Sequence, residues 1–202
     1  MNTGDDLDGV AERLLDDAGL ERGGPVCVVS LVRRLLGPCA LRFAPEGALP
    51  GNGALVRVGA EWRIYIRKTA PDHVKRFVAL HEVAHWALGS AATEEQCNRL
   101  AGALLLPRRE FLGALRSRSR IGRLATAFGS DETCAWLRLG ELTGAPVAVL
   151  SPRRFRSRGA TFAWPAEQTL REGRFLGVKK AHLSDDCERL VLRPTTARGA
   201  TA

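Results

Sequence analysis

The stretch from Arg76 to Leu88 reads RFVALHEVAHWAL, and the rest of the chain is organised around it. Its apolar residues recur at spacings of three and four, which is the period of a helix that buries one side. Pro71 suits the first turn of such a helix, and Gly89 is typical of the residue that follows a helix end. The stretch therefore predicts a buried amphipathic helix between these two residues.

The same stretch contains an H-E-x-x-H pattern at His81, Glu82 and His85. Residues four apart lie on one face of a helix, so both imidazoles can bind a single metal ion. Glu82 lies between them and can reach a water on that metal as its general base. The alternative is two ordinary interior histidines, but a chance match is rare in a chain with 4 histidines among 202 residues. The pattern predicts a zinc hydrolase.

A third ligand is expected from residues 93–96, which read TEEQ and open the next helix. Threonine and glutamine at this spacing form a capping-box pattern, and acidic residues suit a first helical turn. The connection over residues 89–92 is short, so the two helices are expected to be antiparallel neighbours. This arrangement returns Glu94 to about the level of His85. We therefore predict Glu94 as the third ligand, with Glu95 as the alternative.

Residues 76–85 and 94–107, the latter reading EEQCNRLAGALLLP, together resemble the ImmA/IrrE family of metallopeptidases. The family pattern is r-F-x-x-A-H-E-x-x-H, followed by E-x-x-A-N-x-F-A-x-x-L-L-x-P. The chain departs from this pattern at three positions, because Leu80 and Cys97 replace alanines and Leu100 replaces a phenylalanine.

The resemblance implies an α+β fold, in which a mostly helical, zincin-like domain carries a small antiparallel sheet packed on the motif helix. It implies that His81, His85 and Glu94 hold Zn²⁺, with a water in the fourth position and Glu82 as the catalytic base. Members of the family often cleave a helix-turn-helix repressor in a phage, mobile-element or stress-response circuit. The expected function is therefore that of a zinc-dependent metalloendopeptidase with such a repressor as its substrate.

The resemblance extends more weakly from about Asp6 to Pro152, and residues 1–152 are expected to form the metallopeptidase domain. Residues 153–202 lie outside it. There we expect a basic linker, a small β appendage and a disordered tail.

Further elements are predicted from periodicity and from turn residues on both sides of the motif. The sheet is expected to pack on the motif helix, and its edge strand can bind substrate backbone by strand addition. The predicted helices span 6–18, 25–36, 110–115, 121–128 and 132–142, and the predicted strands span 39–43, 54–58, 62–67, 146–150, 162–164, 175–178 and 190–193.

The net charge of +8 is concentrated after the motif helices, since residues 108–158 hold 11 basic and 4 acidic residues, a local +7. Such a block suits weak contact with nucleic acid or with an acidic protein face, and a solvated arginine-rich surface is the simpler interpretation. Residues 121–142 resemble a helix-turn-helix, although an α-hairpin in the core has the same pattern. The alternative function is therefore a DNA-binding transcriptional regulator with a structural or vestigial metal site. A third candidate function is that of a toxin or antitoxin component that works by binding a partner.

The composition limits the class of protein. A hydrophobic content of 45% over 202 residues is enough for a real core. No apolar run approaches the roughly 18 residues that span a bilayer, and the acidic start lacks the apolar segment of a secretion signal. The five cysteines are scattered without C-x-x-C spacing, which favours neither a disulfide framework nor a zinc knuckle. We therefore expect a cytoplasmic protein with reduced thiols and no membrane partner.

Overall fold

The computed structural model describes residues 6–117, 120–144, 147–151, 154–158, 178–183 and 190–194. The chain divides into two compact units, residues 1–131 and 132–202. Helices of the first unit are α1 (Leu7–Asp17), α2 (Val28–Leu36), α3 (Asp72–Leu88), α4 (Glu94–Leu105), α5 (Arg108–Arg116) and α6 (Ile121–Phe128). Its strands are β1 (Leu41–Ala44), β2 (Gly53–Val58) and β3 (Glu61–Arg67).

The first two helices follow the predicted pattern. Asp6 caps α1, because its carboxylate accepts a hydrogen bond from the backbone N–H of Gly9 at 2.9 Å. The apolar stripe of α1 is buried, as expected for an amphipathic helix. Helix α2 begins at Val28 rather than at Pro25, since Cys27 has an extended backbone conformation and occupies the N-cap position.

The sheet of the first unit has the order β1-β3-β2 and is mixed rather than purely antiparallel. Strands β2 and β3 form the predicted hairpin, while β1 pairs with β3 in parallel. Residues 45–52 connect the end of β1 to the start of β2 at the same end of the sheet, so these two strands run in opposite directions. Strand β3 lies between them and is antiparallel to β2, and it is therefore parallel to β1. Ile64 and Ile66 of β3 are fully buried, and the sheet packs on α3 as predicted.

Helices α3 and α4 are antiparallel neighbours and form the centre of the core. Leu80 and Val83 of α3 and Leu100 and Leu104 of α4 are inaccessible to solvent. The capping box at the start of α4 is present, since the Thr93 hydroxyl accepts from the backbone of residue 96 and that glutamine's side chain accepts from the backbone of Thr93. The α+β architecture with a mostly helical, zincin-like domain is thereby confirmed.

Arg76 links α3 to two other segments of the first unit. Its guanidinium donates hydrogen bonds to the carbonyl of Val26 at 2.9 Å and to the carbonyl of Phe128 at 3.3 Å. The second carbonyl belongs to the last residue of α6, where carbonyls lack partners within the helix. Phe128 also packs edge to face on Phe111 of α5, with ring centroids 6.0 Å apart. These contacts hold α5 and α6 to the motif helix.

The second unit contains α7 (Glu132–Thr143) and a four-stranded antiparallel sheet with the order β5-β4-β7-β6. Its strands are β4 (Val147–Ser151), β5 (Arg154–Arg158), β6 (Val178–Leu183) and β7 (Leu190–Pro194). Residues 154–158 were expected in a basic linker, but they pair with β4 along their whole length. Arginine alternates with Phe155 and Ser157, which is the period of a strand. The linker was predicted because the positive charge of these residues is typical of an exposed connection.

Several predicted features fall outside the described residues. They are the strand over 162–164, most of the strand over 175–178, the tail after residue 194 and Arg118 in the basic block. The compact units meet at residue 131, earlier than the expected domain boundary at residue 152, which stays a prediction.

Candidate metal centre

The two motif histidines face each other on α3. His81 Nε2 and His85 Nε2 lie 3.1 Å apart, and the ring planes are inclined at 81°. Residues 81 and 85 are separated by slightly more than one helical turn, which places both rings on the same face. This face is directed toward the start of α4.

Glu94 completes the group from the first position of α4. Its Oε2 lies 3.2 Å from His81 Nε2, and its Oε1 lies 3.3 Å from His85 Nε2. The ligand atoms of the three residues lie within 4.8 Å of one another. The Glu94 side chain is 75% exposed, against 16% for His81 and 29% for His85, so the group opens to solvent on the side of the carboxylate.

The spacing of these atoms fits a divalent cation. In a tetrahedral zinc site with bonds of about 2.0–2.1 Å, two ligand atoms lie about 3.3 Å apart. The nitrogen–nitrogen distance of 3.1 Å and the nitrogen–oxygen distances of 3.2 and 3.3 Å are close to this value. Two imidazoles and one carboxylate are also a donor set that occurs in catalytic zinc sites, which leave a fourth position open. The residues present therefore suit zinc.

Glu95, the alternative third ligand, is not part of this group. It is exposed on the first turn of α4, one residue beyond Glu94. Successive residues of a helix point about 100° apart, so only one of the two glutamates can face the histidines from this turn. The choice of Glu94 as a metal ligand stays a prediction, to which the geometry adds support.

Glu82 lies beneath the histidine pair and is only 8% exposed. Burial raises the pKa of its carboxyl above the ordinary value, while His85 and a hydrogen bond from the backbone N–H of Leu55 act in the opposite direction. Burial also lowers the pKa of His81, and the neighbouring His85 adds to this effect. Both shifts favour neutral side chains in a poorly solvated pocket.

Strand β2 reaches Glu82 because Gly53 has no side chain. A Cβ atom at residue 53 would collide with Val78 Cγ1 and would lie 3.2 Å from Glu82 Oε1. The close approach brings β2 to the side of α3 that carries Glu82, where the backbone N–H of Leu55 lowers the pKa of this carboxyl. Gly53 and Leu55 were not among the site residues predicted from the sequence. A glycine at the start of a strand was the available signal, since it often marks close backbone approach.

The edge of β2 has a defined pattern of backbone groups. Ile64 of β3 donates its N–H to Ala40, on the β1 side, while Arg67 donates to Asn52, on the β2 side. Residue 64 is paired with Leu55 in the β2–β3 register. In an antiparallel pair, the N–H and C=O groups of one residue point toward the partner strand, and those of the next residue point away from it. Gly53, Leu55 and Arg57 therefore direct their N–H and C=O groups away from β3.

The Nδ1 atoms of His81 and His85, which face away from the candidate metal position, have different surroundings. His85 Nδ1 lies 3.4 Å from the sulfur of Cys97, which is fully buried on α4. His81 Nδ1 is buried and has no hydrogen-bond partner of good geometry among the described residues, although the side chain of Asn98 is near enough to raise the pKa of this histidine. Burial raises the pKa of the Cys97 thiol, and the charges of Glu94 and Glu82 add to it.

A motif helix that carries two histidines, a third candidate ligand from the next helix and a small sheet across the site define a zincin-like domain. Residues 45–139 match the family Peptidase_M78, the IrrE N-terminal-like domain. The matched segment covers 95 of the 202 residues, and within it the resemblance to ImmA/IrrE is confirmed.

Among solved structures, the chain is similar to a Mycobacterium tuberculosis transcriptional regulator, with 22% identity and a TM-score of 0.56. The match covers 80% of this chain and 58% of that one, so the chain spans little more than half of the regulator's length. At this identity the similarity establishes the fold. No curated protein matches the chain. Within the described residues, no helix has both the length and the apolar content needed to cross a membrane.

Proposed function

We propose that the protein is a zinc-dependent metalloendopeptidase. The observation that carries the proposal is the convergence of His81, His85 and Glu94, whose ligand atoms lie within 4.8 Å of one another beside the buried Glu82. The match of residues 45–139 to a peptidase family supports the same reaction class. A purely structural metal site has no need for a carboxylate between its histidines, and this also favours an enzyme.

His81, His85 and Glu94 would hold the metal. Bound zinc would polarise the scissile carbonyl and lower the pKa of water from that of the bulk to about 7. Glu82 accepts the proton of the attacking water on its carboxylate and then passes it to the nitrogen of the leaving amine. Burial raises the pKa of this carboxyl, which makes the carboxylate a stronger acceptor for the proton of the water, while the backbone N–H of Leu55 acts in the opposite direction.

The substrate is an extended segment of a protein that adds to the edge of β2. The outward backbone groups of Gly53 and Arg57 lie on either side of Leu55, whose N–H is near enough to Glu82 to lower the pKa of its carboxyl. A peptide strand that pairs with these groups runs past the catalytic carboxylate. Backbone pairing selects an extended conformation, and it leaves sequence preference to side-chain contacts beyond the edge.

By the family resemblance, the substrate is a helix-turn-helix repressor, cut at one or few sites in the cytoplasm. Arginines on α5, α6 and the turn between them are suited to an acidic face of such a protein. Those exposed in the described residues are Arg108, Arg109, Arg116, Arg120 and Arg123.

A DNA-binding regulator is the second candidate, and the name of the structurally similar regulator favours it. Helix α7, which would occupy the recognition position, argues against it. Its charged residues are two glutamates and Arg138, which is 4% exposed and paired with Glu141 at 3.3 Å. A helix that reads the major groove needs exposed donors and a positive field. The metal centre and α7 also belong to different compact units.

The test is incubation of the purified protein with a helix-turn-helix repressor encoded beside it, with and without a chelator. We expect discrete cleavage that stops on chelation and in Glu82→Gln, which removes the proton acceptor but keeps the zinc. Arg120→Ala with Arg123→Ala is expected to slow cleavage at low salt, whereas the exposed Arg13→Ala on α1 serves as the control. Selective operator binding without cleavage, retained in Glu82→Gln and in zinc-free protein, would establish the regulator instead.

A further inference from the structure

Cys97 lies directly behind His85 as seen from the metal centre. Its side chain is fully buried, and its sulfur lies 3.4 Å from His85 Nδ1. The other ring nitrogen, Nε2, faces His81 at 3.1 Å and Glu94 at 3.3 Å. The imidazole of His85 is therefore contacted on both sides, by the candidate ligands at one nitrogen and by the thiol at the other.

The chemistry of imidazole determines which atom donates the hydrogen bond in the contact between His85 and Cys97. A neutral imidazole carries its proton on one nitrogen and a lone pair on the other. If His85 Nε2 is to bind a metal, its lone pair must be free, so the proton must be on Nδ1. A buried N–H without an acceptor is costly, and the sulfur of a thiol can accept a hydrogen bond, though weakly.

We propose that Cys97 is a positioning residue for the metal centre. Its sulfur accepts a hydrogen bond from His85 Nδ1–H, and this fixes the tautomer and the ring orientation that leave Nε2 directed at the metal. The role rests on the proposed metal site. It gives α4 two functions, since this helix carries Glu94 at its first position and, one turn later, the group that orients a histidine of the opposite helix.

Cys97 is fully buried on α4, so the contact between its sulfur and His85 Nδ1 is shielded from water. His81 provides the contrast within this site, because its Nδ1 has no partner of good geometry among the described residues. Metal-binding histidines commonly donate from their second nitrogen to an oxygen acceptor. For His85, the sulfur of Cys97 takes the place of that oxygen acceptor.

The test compares Cys97→Ala and Cys97→Val, which lack the acceptor, with Cys97→Ser, which restores one in a smaller side chain. Zinc affinity is measured by competition with a chelator. The tautomer of His85 is read from the imidazole nitrogen signals in NMR spectra, in zinc-free and zinc-loaded protein above the imidazole pKa. Cys39→Ala, at an exposed cysteine outside the site, is the control.

We expect zinc affinity to fall roughly tenfold in Cys97→Ala and Cys97→Val, at the lower end of the range for such supporting contacts, and to stay near that of wild type in Cys97→Ser. In zinc-free protein, the fraction of His85 that carries its proton on Nδ1 should be larger in wild type than in the alanine variant, because the carboxylate of Glu94 draws the proton toward Nε2 in both proteins. Unchanged affinity and an unchanged tautomer in a folded Cys97→Ala protein would overturn the role of Cys97 and leave the metal site intact. A wild-type protein that binds no zinc would overturn both.

Discussion

Gly53 and Glu82 lie so close together that a Cβ atom at residue 53 would be 3.2 Å from Glu82 Oε1. The same atom would collide with Val78, one helical turn before the glutamate. The position of the edge strand relative to the proton acceptor therefore depends on the absence of a side chain at this residue.

We predict that Gly53→Ala lowers the rate of peptide cleavage at least tenfold without reducing the zinc content. The added methyl must displace Val78 or β2, and either movement shifts Leu55 and the nearby carboxylate of Glu82 by a few tenths of an ångström or more. The measurement is kcat/KM on a peptide substrate, together with zinc analysis. Gly51→Ala is the matched control, because a Cβ there meets no atom within 4 Å. Equal losses in the two variants would contradict the prediction.

A second prediction concerns the metal ligands. Removal of Glu94 deletes the carboxylate that lies 3.2 and 3.3 Å from the two Nε2 atoms, so Glu94→Ala should weaken zinc binding far more than Glu95→Ala. His81→Ala and His85→Ala should lose about one zinc per chain, and Glu82→Gln should keep it. Metal analysis after reconstitution measures all five variants. The same affinity in Glu94→Ala as in wild type would remove Glu94 from the site.

Arg76 provides a prediction on stability. Its guanidinium donates to the carbonyls of Val26 and Phe128, and Arg76→Ala leaves both without this partner. Hydrogen bonds from charged groups contribute about 1.5–3 kcal/mol, so we expect the free energy of unfolding to fall by about 2–3 kcal/mol. Urea denaturation gives this value. The neighbouring Lys75 pairs with the exposed Asp72 at 3.2 Å, and Lys75→Ala should cost under about 0.5 kcal/mol.

Cys27 provides a prediction on pH. The Ser30 hydroxyl donates to the Cys27 sulfur at 3.1 Å and, with the backbone N–H of Ser30, lowers the pKa of the thiol. A lowered pKa means more thiolate below the ordinary titration range and hence faster alkylation near neutral pH. Ser30→Ala should move the midpoint of the rate–pH profile upward and slow the reaction at pH 7.5 by roughly two- to fivefold, a modest effect because the thiol is exposed. Cys39, also exposed, is the internal control, and its rate should not change.

The features that the sequence predicted well are local. Periodicity located α1 and α3 to within a residue or two, and the capping box placed the start of α4 at Glu94. The spacing of the motif histidines requires only a helix, so the pair could be predicted without knowledge of the fold.

The features that the sequence did not reveal depend on contacts between distant residues. The parallel pairing of β1 with β3 follows from the path of the chain, which strand patterns do not encode. The effect of the Leu55 backbone on the pKa of Glu82 requires the docking of the sheet on α3. Cys97 was noted only as a departure from a pattern, and its distance to His85 Nδ1 required the side chains of both helices.

The short turn between α3 and α4 also bears on how the centre is assembled during folding. All three candidate ligands belong to one helical hairpin, and contacts between residues near in sequence form early because little chain entropy is lost in closing them. The environment of Glu82, in contrast, is completed only when the hairpin of β2 and β3 arrives from an earlier part of the chain. A partly unfolded chain in which only this helical hairpin has formed would therefore bring the three candidate ligands together before the surroundings of Glu82 are complete, so that metal binding would precede formation of the site that accepts the proton.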